Sequence, residues 1–510
     1  MRFSLGLGVS SSSRLVLLGC ALLSQSCDAL WSSFARDNPE NCVTSAAGCA
    51  ADEVCDLPRQ ICVSALRIDS VSPALASSRG GTAMTLRGQR FVAGATVLVD
   101  DQPASDVVVV SPEELRFTLP ASTRGLWHVP IAVQNPSQHR SERRDLFAYF
   151  AETLSFESHA IAVGGLPIGV ASGDWNGDQK LDLAVITIPS SGVQLLQGDG
   201  SGGFSAAGSL AVGSATMTTQ HILSLDSNRD GSRDLLVAAG GSLTLFLGDG
   251  QGGFPSRRVL YTATGSNRLR VLAVGDYDAD GRPDIVLTDA LSDNSSGDVV
   301  LIVNGGDDSY TATSLIDSGK PARSLAIVDL TADGRSDVLV GMEDTRVSLW
   351  RNDGGQARTR FDLPSAGCSA GSVAVGDLNR DGQPDLLLRC DTALRSLLNQ
   401  GSAQFIAQPD LPTTTATSPT LVLAELNGDG HLDAGLGRGA AVGDSQVVGL
   451  LGDGAGGFAA PQEIAAYSTT QLSVGHVLHA ADWDGDGKTD VLSLSTMSNQ
   501  PCRLLLNRSR

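Results

Sequence analysis

Aromatic residues make up only 5% of this 510-residue chain, so a core of this size must be built mainly from Val, Leu, Ile and Ala. Long apolar runs are missing as well, and none beyond the N-terminal region approaches the ~20 residues that a membrane-spanning helix requires. Histidine is rare: seven residues, scattered at 128, 139, 159, 221, 431, 476 and 479, read as surface or packing positions. Positive charge is in deficit, with 36 Lys and Arg against 56 Asp and Glu and a net charge of −20. No basic stripe points to nucleic acid. A G-x-S-x-G elbow, a P-loop and an H-E-x-x-H motif are all absent. The paired acids of a glycosidase cannot be picked out among so many carboxylates.

What is abundant is glycine, with 58 residues, and acid, and the acid is patterned. In Asp482-Trp483-Asp484-Gly485-Asp486-Gly487-Lys488-Thr489-Asp490, carboxylates occupy positions 1, 3, 5 and 9 and glycine position 6. Alternate oxygens turned around one point, with a sharp turn at glycine, are how a hard cation such as Ca²⁺ collects ligands. Seven such loops follow one another, 48 to 57 residues apart. Their candidate metal ligands are Asp174, Asn176, Asp178 and Asp182 in loop 1; Asp226, Asn228, Asp230 and Asp234 in loop 2; and Asp276, Asp278, Asp280 and Asp284 in loop 3. Asp329, Thr331, Asp333 and Asp337 form loop 4, and Asp377, Asn379, Asp381 and Asp385 form loop 5. Glu425, Asn427, Asp429 and Asp433 form loop 6, and Asp482, Asp484, Asp486 and Asp490 form loop 7. These sets hold 23 of the 56 acidic residues, so one divalent ion per loop would cancel most of the net charge. Up to seven structural Ca²⁺ ions are expected. Loop 1 departs furthest from the pattern, because Gln179 stands where glycine is expected. A non-glycine residue in a left-handed turn costs ~1 kcal/mol, so this loop is expected to be the weakest site.

Residues 1–27 read as an export signal: Arg2 and Arg14, the apolar run Leu15–Leu23, then small polar residues. Cys27, or alternatively Cys20, could carry a lipid anchor; cleavage without a lipid is the plainer expectation. Residues 28–65 form a cysteine module. Its Cys42, Cys49, Cys55 and Cys62, separated by six, five and six residues, are expected to form two disulfides with three connectivities open. From 66 to 150, short alternating runs around Met84–Leu86, Thr96–Val99, Val107–Val110, Leu115–Leu119 and Val129–Val133 indicate a small β-sandwich. Its SVSP, GGT, L-x-G-x-x-F (Leu86, Gly88, Phe91), FTLP and QNP segments resemble the IPT/TIG immunoglobulin-like domain, which implies a spacer.

From 152 to 510 each repeat has an apolar strand ending in the acidic loop, a second strand, a third ending in Gly-rich punctuation, and a fourth opening with an aromatic. Four short strands every ~50 residues describe a propeller blade. The GDGxGGF segments at 198–204, 248–254 and 452–458, with the acidic loops, resemble FG-GAP/VCBS repeats, the repeat of the integrin α-subunit propeller. The resemblance implies a seven-bladed β-propeller with structural Ca²⁺ loops between the first two strands of a blade. The fold class expected is therefore all-β, the propeller being preceded by an Ig-like sandwich and a disulfide-rich module. The last repeat ends in a third strand, Leu504–Asn507, with no fourth. Phe156 lies 18 residues before Asp174, which makes Leu154–Val163 the missing outer strand. Cys368 and Cys390 flank the first two strands of the fifth blade and are expected to form a disulfide; Cys502 has no assigned partner.

The function expected is an exported, monomeric binding or adhesion protein, secreted or held at the cell surface. Its partner would be an extracellular protein or glycan, with membrane contact only through a lipid. The alternative is a propeller-based polysaccharide lyase.

Overall fold

The computed structural model describes residues 53–509 apart from 57–60, 123–126, 138, 189–191, 213–220, 240, 265–267, 292–295, 307–308, 318–321, 343–345, 355–358, 364–371, 391–392, 414–419, 440–443, 469–475 and 496–501. The expected signal, Cys20, Cys27, Cys42, Cys49 and Cys368 lie outside the described residues. Cys55 and Cys62 lie opposite one another in register on the paired strands Glu53–Asp56 and Ile61–Ser64. No helix occurs among the described residues, and none is therefore long and apolar enough to cross a membrane. The chain divides into two compact units, residues 1–123 with 127–149, and 124–126 with 150–510.

In the first unit the alternating runs form strands as expected. Arg67–Ser72, Ala83–Gln89, Glu114–Thr118 and Ser105–Ser111 make one sheet, and Arg140–Arg143, Ile131–Gln134, Thr96–Val99 and Gln102–Pro103 make another. Inward residues of both sheets, among them Ile68, Leu86, Leu115, Val99 and Ile131, share one hydrophobic core. Alternation places every second side chain there.

The second unit holds seven antiparallel sheets. Blade 1 is Leu166–Gly173, Asp182–Ile188, Gly192–Gly198 and Phe204–Ala211, in chain order. Burial explains the order. The second strand, DLAVITI, is buried at every position, so it packs on both faces; the fourth is mostly exposed. First strands touch in sequence around a circle: Leu166–Gly173, His221–Leu225, Arg268–Gly275, Ala322–Val328, Ser372–Gly376, Leu421–Ala424 and His476–Ala481. The last of these also touches the first, so the ring is closed. Each of the seven blade-to-blade faces has its own apolar cluster. This is a seven-bladed β-propeller.

Closure comes from the N-terminal side of the unit. Phe156–Ile161 pairs with Cys502–Asn507 as the outer strand of the last blade, with Phe156 opposite Asn507. The same register recurs at Gly198 and Phe204, Asn304 and Tyr310, and Asn399 and Phe405. Cys390, directly after the second strand of blade 5, is one half of a disulfide. Cys502 is buried and free.

Candidate metal centre

Each acidic loop needs two left-handed residues, at positions 4 and 6. Position 4 is Gly177, Arg229, Ala279, Ala332, Arg380, Gly428 or Gly485, with φ from 57° to 83°. Position 6 is Gln179 at φ 66°, and glycine in the other six loops. This bears on the reason given for loop 1, not on the strength of its site. Its left-handed Gln179 is real, but loops 2 to 5 each carry one non-glycine residue in the same conformation, at position 4. Backbone strain therefore does not single out the first loop.

Position 1 is held the same way in six loops. The position-6 amide donates to Oδ2 of Asp174, Asp226, Asp276, Asp329, Asp377 and Asp482, at 2.7 to 3.0 Å. Glu425 differs: its longer arm folds back to accept from the amides of Asn427 and Gly428.

Position 9, a candidate ligand, has a structural task as well. Asp234, Asp284, Asp337, Asp385, Asp433 and Asp490 are fully buried and Asp182 nearly so. One oxygen accepts from the amide at position 2, as from Trp483 to Asp490 at 2.8 Å. The other accepts from the end of the third strand, as from Asn507 at 2.7 Å. The same pair of bonds recurs in all seven blades. Burial raises the pKa of all seven, and carries Asp433 and Asp490 to about 7. A cation near these groups would favour their charged form.

Four blades add a residue that the sequence reading missed. Asn304, Asn352, Asn399 and Asn507 each donate Nδ2 to the position-2 carbonyl of the preceding blade, at 2.7 to 3.0 Å. The signal was present: each lies 14 to 20 residues after the ninth aspartate of its own loop. Where glycine stands instead, at Gly198, Gly248 and Gly452, a Cβ would meet the carbonyl of the residue at position 8 within about 2 Å.

The candidate ligands are brought together unequally. In loop 3, Asp276, Asp278 and Asp284 offer oxygens within 4.8 Å of one another, and in loop 7 Asp482, Asp484 and Asp490 do so. Position 5 stays outside both groups; Asp280 pairs instead with Arg282, at 2.7 Å. No other loop gathers three carboxylates this closely among the described residues. In loops 2, 5 and 6 position 3 is an amide, and Asn228, Asn379 and Asn427 donate Nδ2 to the carboxylate at position 5. Thr331 bonds Asp329 in loop 4. The loops with four carboxylates have no such internal donor at position 3. Two position-1 oxygens, Asp226 Oδ1 and Asp276 Oδ1, are buried without a hydrogen-bond partner. An unpaired buried carboxylate oxygen is costly, and an all-oxygen donor set suits a hard divalent ion. The acidic clusters of loops 3 and 7 could therefore hold a metal ion.

Among solved structures, the chain resembles an Agrocybe aegerita lectin studied for recognition of non-reducing terminal N-acetylglucosamine. Identity is 15%, the TM-score 0.45, and 79% of this chain and 100% of that one are covered. An auxiliary nutrient binding protein from Bacteroides ovatus shares 11%, at a TM-score of 0.39, covering 87% and 98%. BBS1N, solved in complex with ARL6DN, shares 13%, at a TM-score of 0.47, covering 69% of this chain and 97% of that one. No curated protein matches. The FG-GAP-like repeat matches four times, over 174–237, 226–287, 276–340 and 329–388, each match beginning at the first aspartate of a loop. With the IPT/TIG domain matching over 66–149, this chain is an FG-GAP repeat protein with an IPT/TIG domain.

Proposed function

We propose that this is an exported binding protein, secreted or lipid-anchored, that takes an extracellular glycan or protein on a calcium-stabilised propeller. Catalysis is not part of this reading. The observation that carries it is a cleft of about 260 Å³ between blades 1 and 2, lined among others by Trp175, Asn176, Gln197, Gln251 and Phe254. The Trp175 and Phe254 rings stand edge to face, with centroids 6.1 Å apart. Trp175 is buried in the core between the blades and backs the partly exposed Phe254. Phe254 with the neutral amides supplies apolar contact together with both donors and acceptors, which suits the faces and hydroxyls of a sugar. Asp182 also lines the cleft, and both of its oxygens accept from backbone amides, which gives it a structural task there.

Calcium enters this reading as a brace. Asp276, Asp278 and Asp284 would hold it in loop 3, and it would supply the positive charge that their gathered oxygens lack. The test is a glycan array probed with the mature chain, followed by incubation of each hit with the protein. Binding without a shortened product, weakened by Gln251→Ala, supports the proposal. Depolymerisation of a polyanionic glycan would replace it with the lyase reading. Retention of every hit in Gln251→Ala would move the binding surface elsewhere.

A further inference from the structure

Loops 3 and 7 have the same carboxylates but different surroundings. In loop 3 no guanidinium reaches Asp276, Asp278 or Asp284 among the described residues; Arg282 pairs with Asp280, and Arg229 bonds only the carbonyls of Asp280 and Gly281. Loop 7 is already engaged. Arg508 Nη1 donates to Asp484 Oδ2 at 2.7 Å and stands 3.4 Å from Asp486 Oδ2. Its Nε donates to Glu157 Oε2 at 3.1 Å. Asp484 is one of the three gathered carboxylates, and its side chain is only 10% exposed. Glu157 sits on Phe156–Ile161, the strand that closes the ring. Backbone bonds tie the same segment down, from Arg508 to the Ser155 carbonyl at 2.7 Å and from Ser509 to Asn507 Oδ1 at 3.0 Å.

We infer that Arg508 is a built-in counterion of the seventh loop, which a divalent cation must displace from Asp484 and Asp486. The inference rests on the calcium reading of the loops and adds a hierarchy to it. A carboxylate oxygen turned toward a divalent ion is no longer available to the guanidinium, so loop 7 must first give up an ion pair at a gathered carboxylate, whereas Arg282 and Arg229 beside loop 3 contact only Asp280 and backbone carbonyls. Loop 3 therefore fills first, and loop 7 fills at higher calcium. When loop 7 fills, Arg508 keeps Glu157 as its remaining carboxylate. Cation uptake is in this way coupled to the junction between Cys502–Asn507 and the closing strand.

The position-2 residue makes the loop observable. Trp483 lies inside loop 7, and loop 1 has Trp175 at the same place. Terbium luminescence excited through tryptophan, measured in a Trp175→Phe background and abolished by Trp483→Phe, reports loop 7. Calcium is then titrated against bound terbium in the wild-type arginine form and in Arg508→Gln, which keeps a hydrogen-bond donor without the charge. The expected result is a calcium midpoint lowered roughly fivefold or more, the size of one ion pair at a largely buried carboxylate. Arg508→Lys should keep most of the wild-type midpoint. Equal midpoints for Arg508→Gln and wild type would overturn the inference, as would loop 7 filling before loop 3 in wild type. If Arg508→Gln does not fold, Glu157→Gln with Arg508 intact provides the second reading. Releasing the arginine from Glu157 should then raise the calcium midpoint, and a lowered one counts against the inference. Calorimetry on the intact chain separates the two levels: no calcium bound anywhere defeats the calcium reading and this inference with it. Calcium at loop 3 with an unchanged loop 7 defeats this inference alone.

Discussion

Asn507 reaches out of the last blade and donates its side-chain amide to the carbonyl of Leu426, 2.7 Å away in the blade before it. The same nitrogen bonds the Thr489 carbonyl at 3.0 Å, and Oδ1 accepts from Ser509. Asn507 is fully buried. Asn507→Ala would leave a buried carbonyl and amide without partners, which costs about 2–4 kcal/mol. Asn399→Ala, which breaks the equivalent bond to Leu330, should cost less, because the Leu330 carbonyl also accepts from the Ala403 amide at 3.0 Å. Urea denaturation measures both. A loss below about 0.5 kcal/mol in each would mean that water replaces the bond.

The left-handed residues give a second test. Gln179→Gly and Ala332→Gly should each stabilise by up to about 1 kcal/mol, since both residues hold φ near 60° and neither glycine adds a clash. Glycine's entropy in the unfolded chain trims the gain. If only Gln179→Gly stabilised, loop 1 would be strained in a way that the other loops are not.

How far the sequence could be read follows from these residues. The seven blades were legible because an acid at position 1 and Asp at positions 5 and 9 recur in one register, and because Phe156 falls where a fourth-strand aromatic belongs. The left-handed position 4 was not legible, since Arg229, Ala279 and Arg380 carry no glycine to mark it. The ninth aspartate read only as a ligand, because its second role depends on a strand end 14 to 20 residues away. The gathering of positions 1, 3 and 9 without 5 was hidden for a similar reason. In loop 3 it accompanies the pairing of Asp280 with Arg282, and in loop 7 the guanidinium that reaches the carboxylates comes from Arg508, which follows the strand Cys502–Asn507 and lies outside the motif.

Removing residues up to Val163 should cost far more than trimming a surface loop. The six register pairs between Phe156–Ile161 and Cys502–Asn507 would be lost, together with Phe156 and Leu154 from the face between the sixth and seventh blades. The exposed strand edge invites pairing between molecules. Aggregation or a large fall in melting temperature is expected for a propeller that starts at Gly164. An unchanged melting curve would show that the ring does not depend on this strand.

Without calcium, stability should fall as pH rises. Burial raises all seven ninth aspartates, Asp433 and Asp490 to about 7 from 3.8. A carboxyl with a raised folded pKa stabilises while protonated. Its contribution is complete below about 3.8 and lost as pH climbs through the folded value. Desolvation lowers His221 to about 4 and lowers His479 too. These two act with the opposite sign, giving stability above about 6.5 that is lost on acidification. Asp433 and Asp490, raised to about 7, lose their contribution inside the interval from pH 5.5 to 8, whereas His221, lowered to about 4, is neutral in the fold throughout it. In EDTA the melting temperature should therefore be higher near pH 5.5 than near pH 8, and millimolar calcium should reverse the order. A melting temperature in EDTA that rose steadily over that interval would contradict the burial of these groups.

Calcium itself should act on stability, and unequally among the loops. Extracellular sites typically bind with Kd of ~10⁻⁴–10⁻³ M, so at millimolar calcium each filled site adds about 1 kcal/mol. Loop 3 combines three gathered carboxylates with the unpartnered Asp276 Oδ1, which makes it the site whose loss should be clearest. Asp278→Asn should therefore lower the calorimetric stoichiometry by one and narrow the gap between melting temperatures in calcium and in EDTA. Asp230→Asn in loop 2 should do less, because Asn228 already ties that carboxylate within the loop. Asp280→Ala is the informative intermediate. Its carboxylate lies outside the gathered set and pairs with Arg282, so calcium should survive there with weakened affinity, unless the ion draws position 5 inward and the site disappears. A wild-type protein that melted identically in EDTA and in millimolar calcium would remove the metal from every loop. The buried aspartates at position 9 would then be strand pins alone.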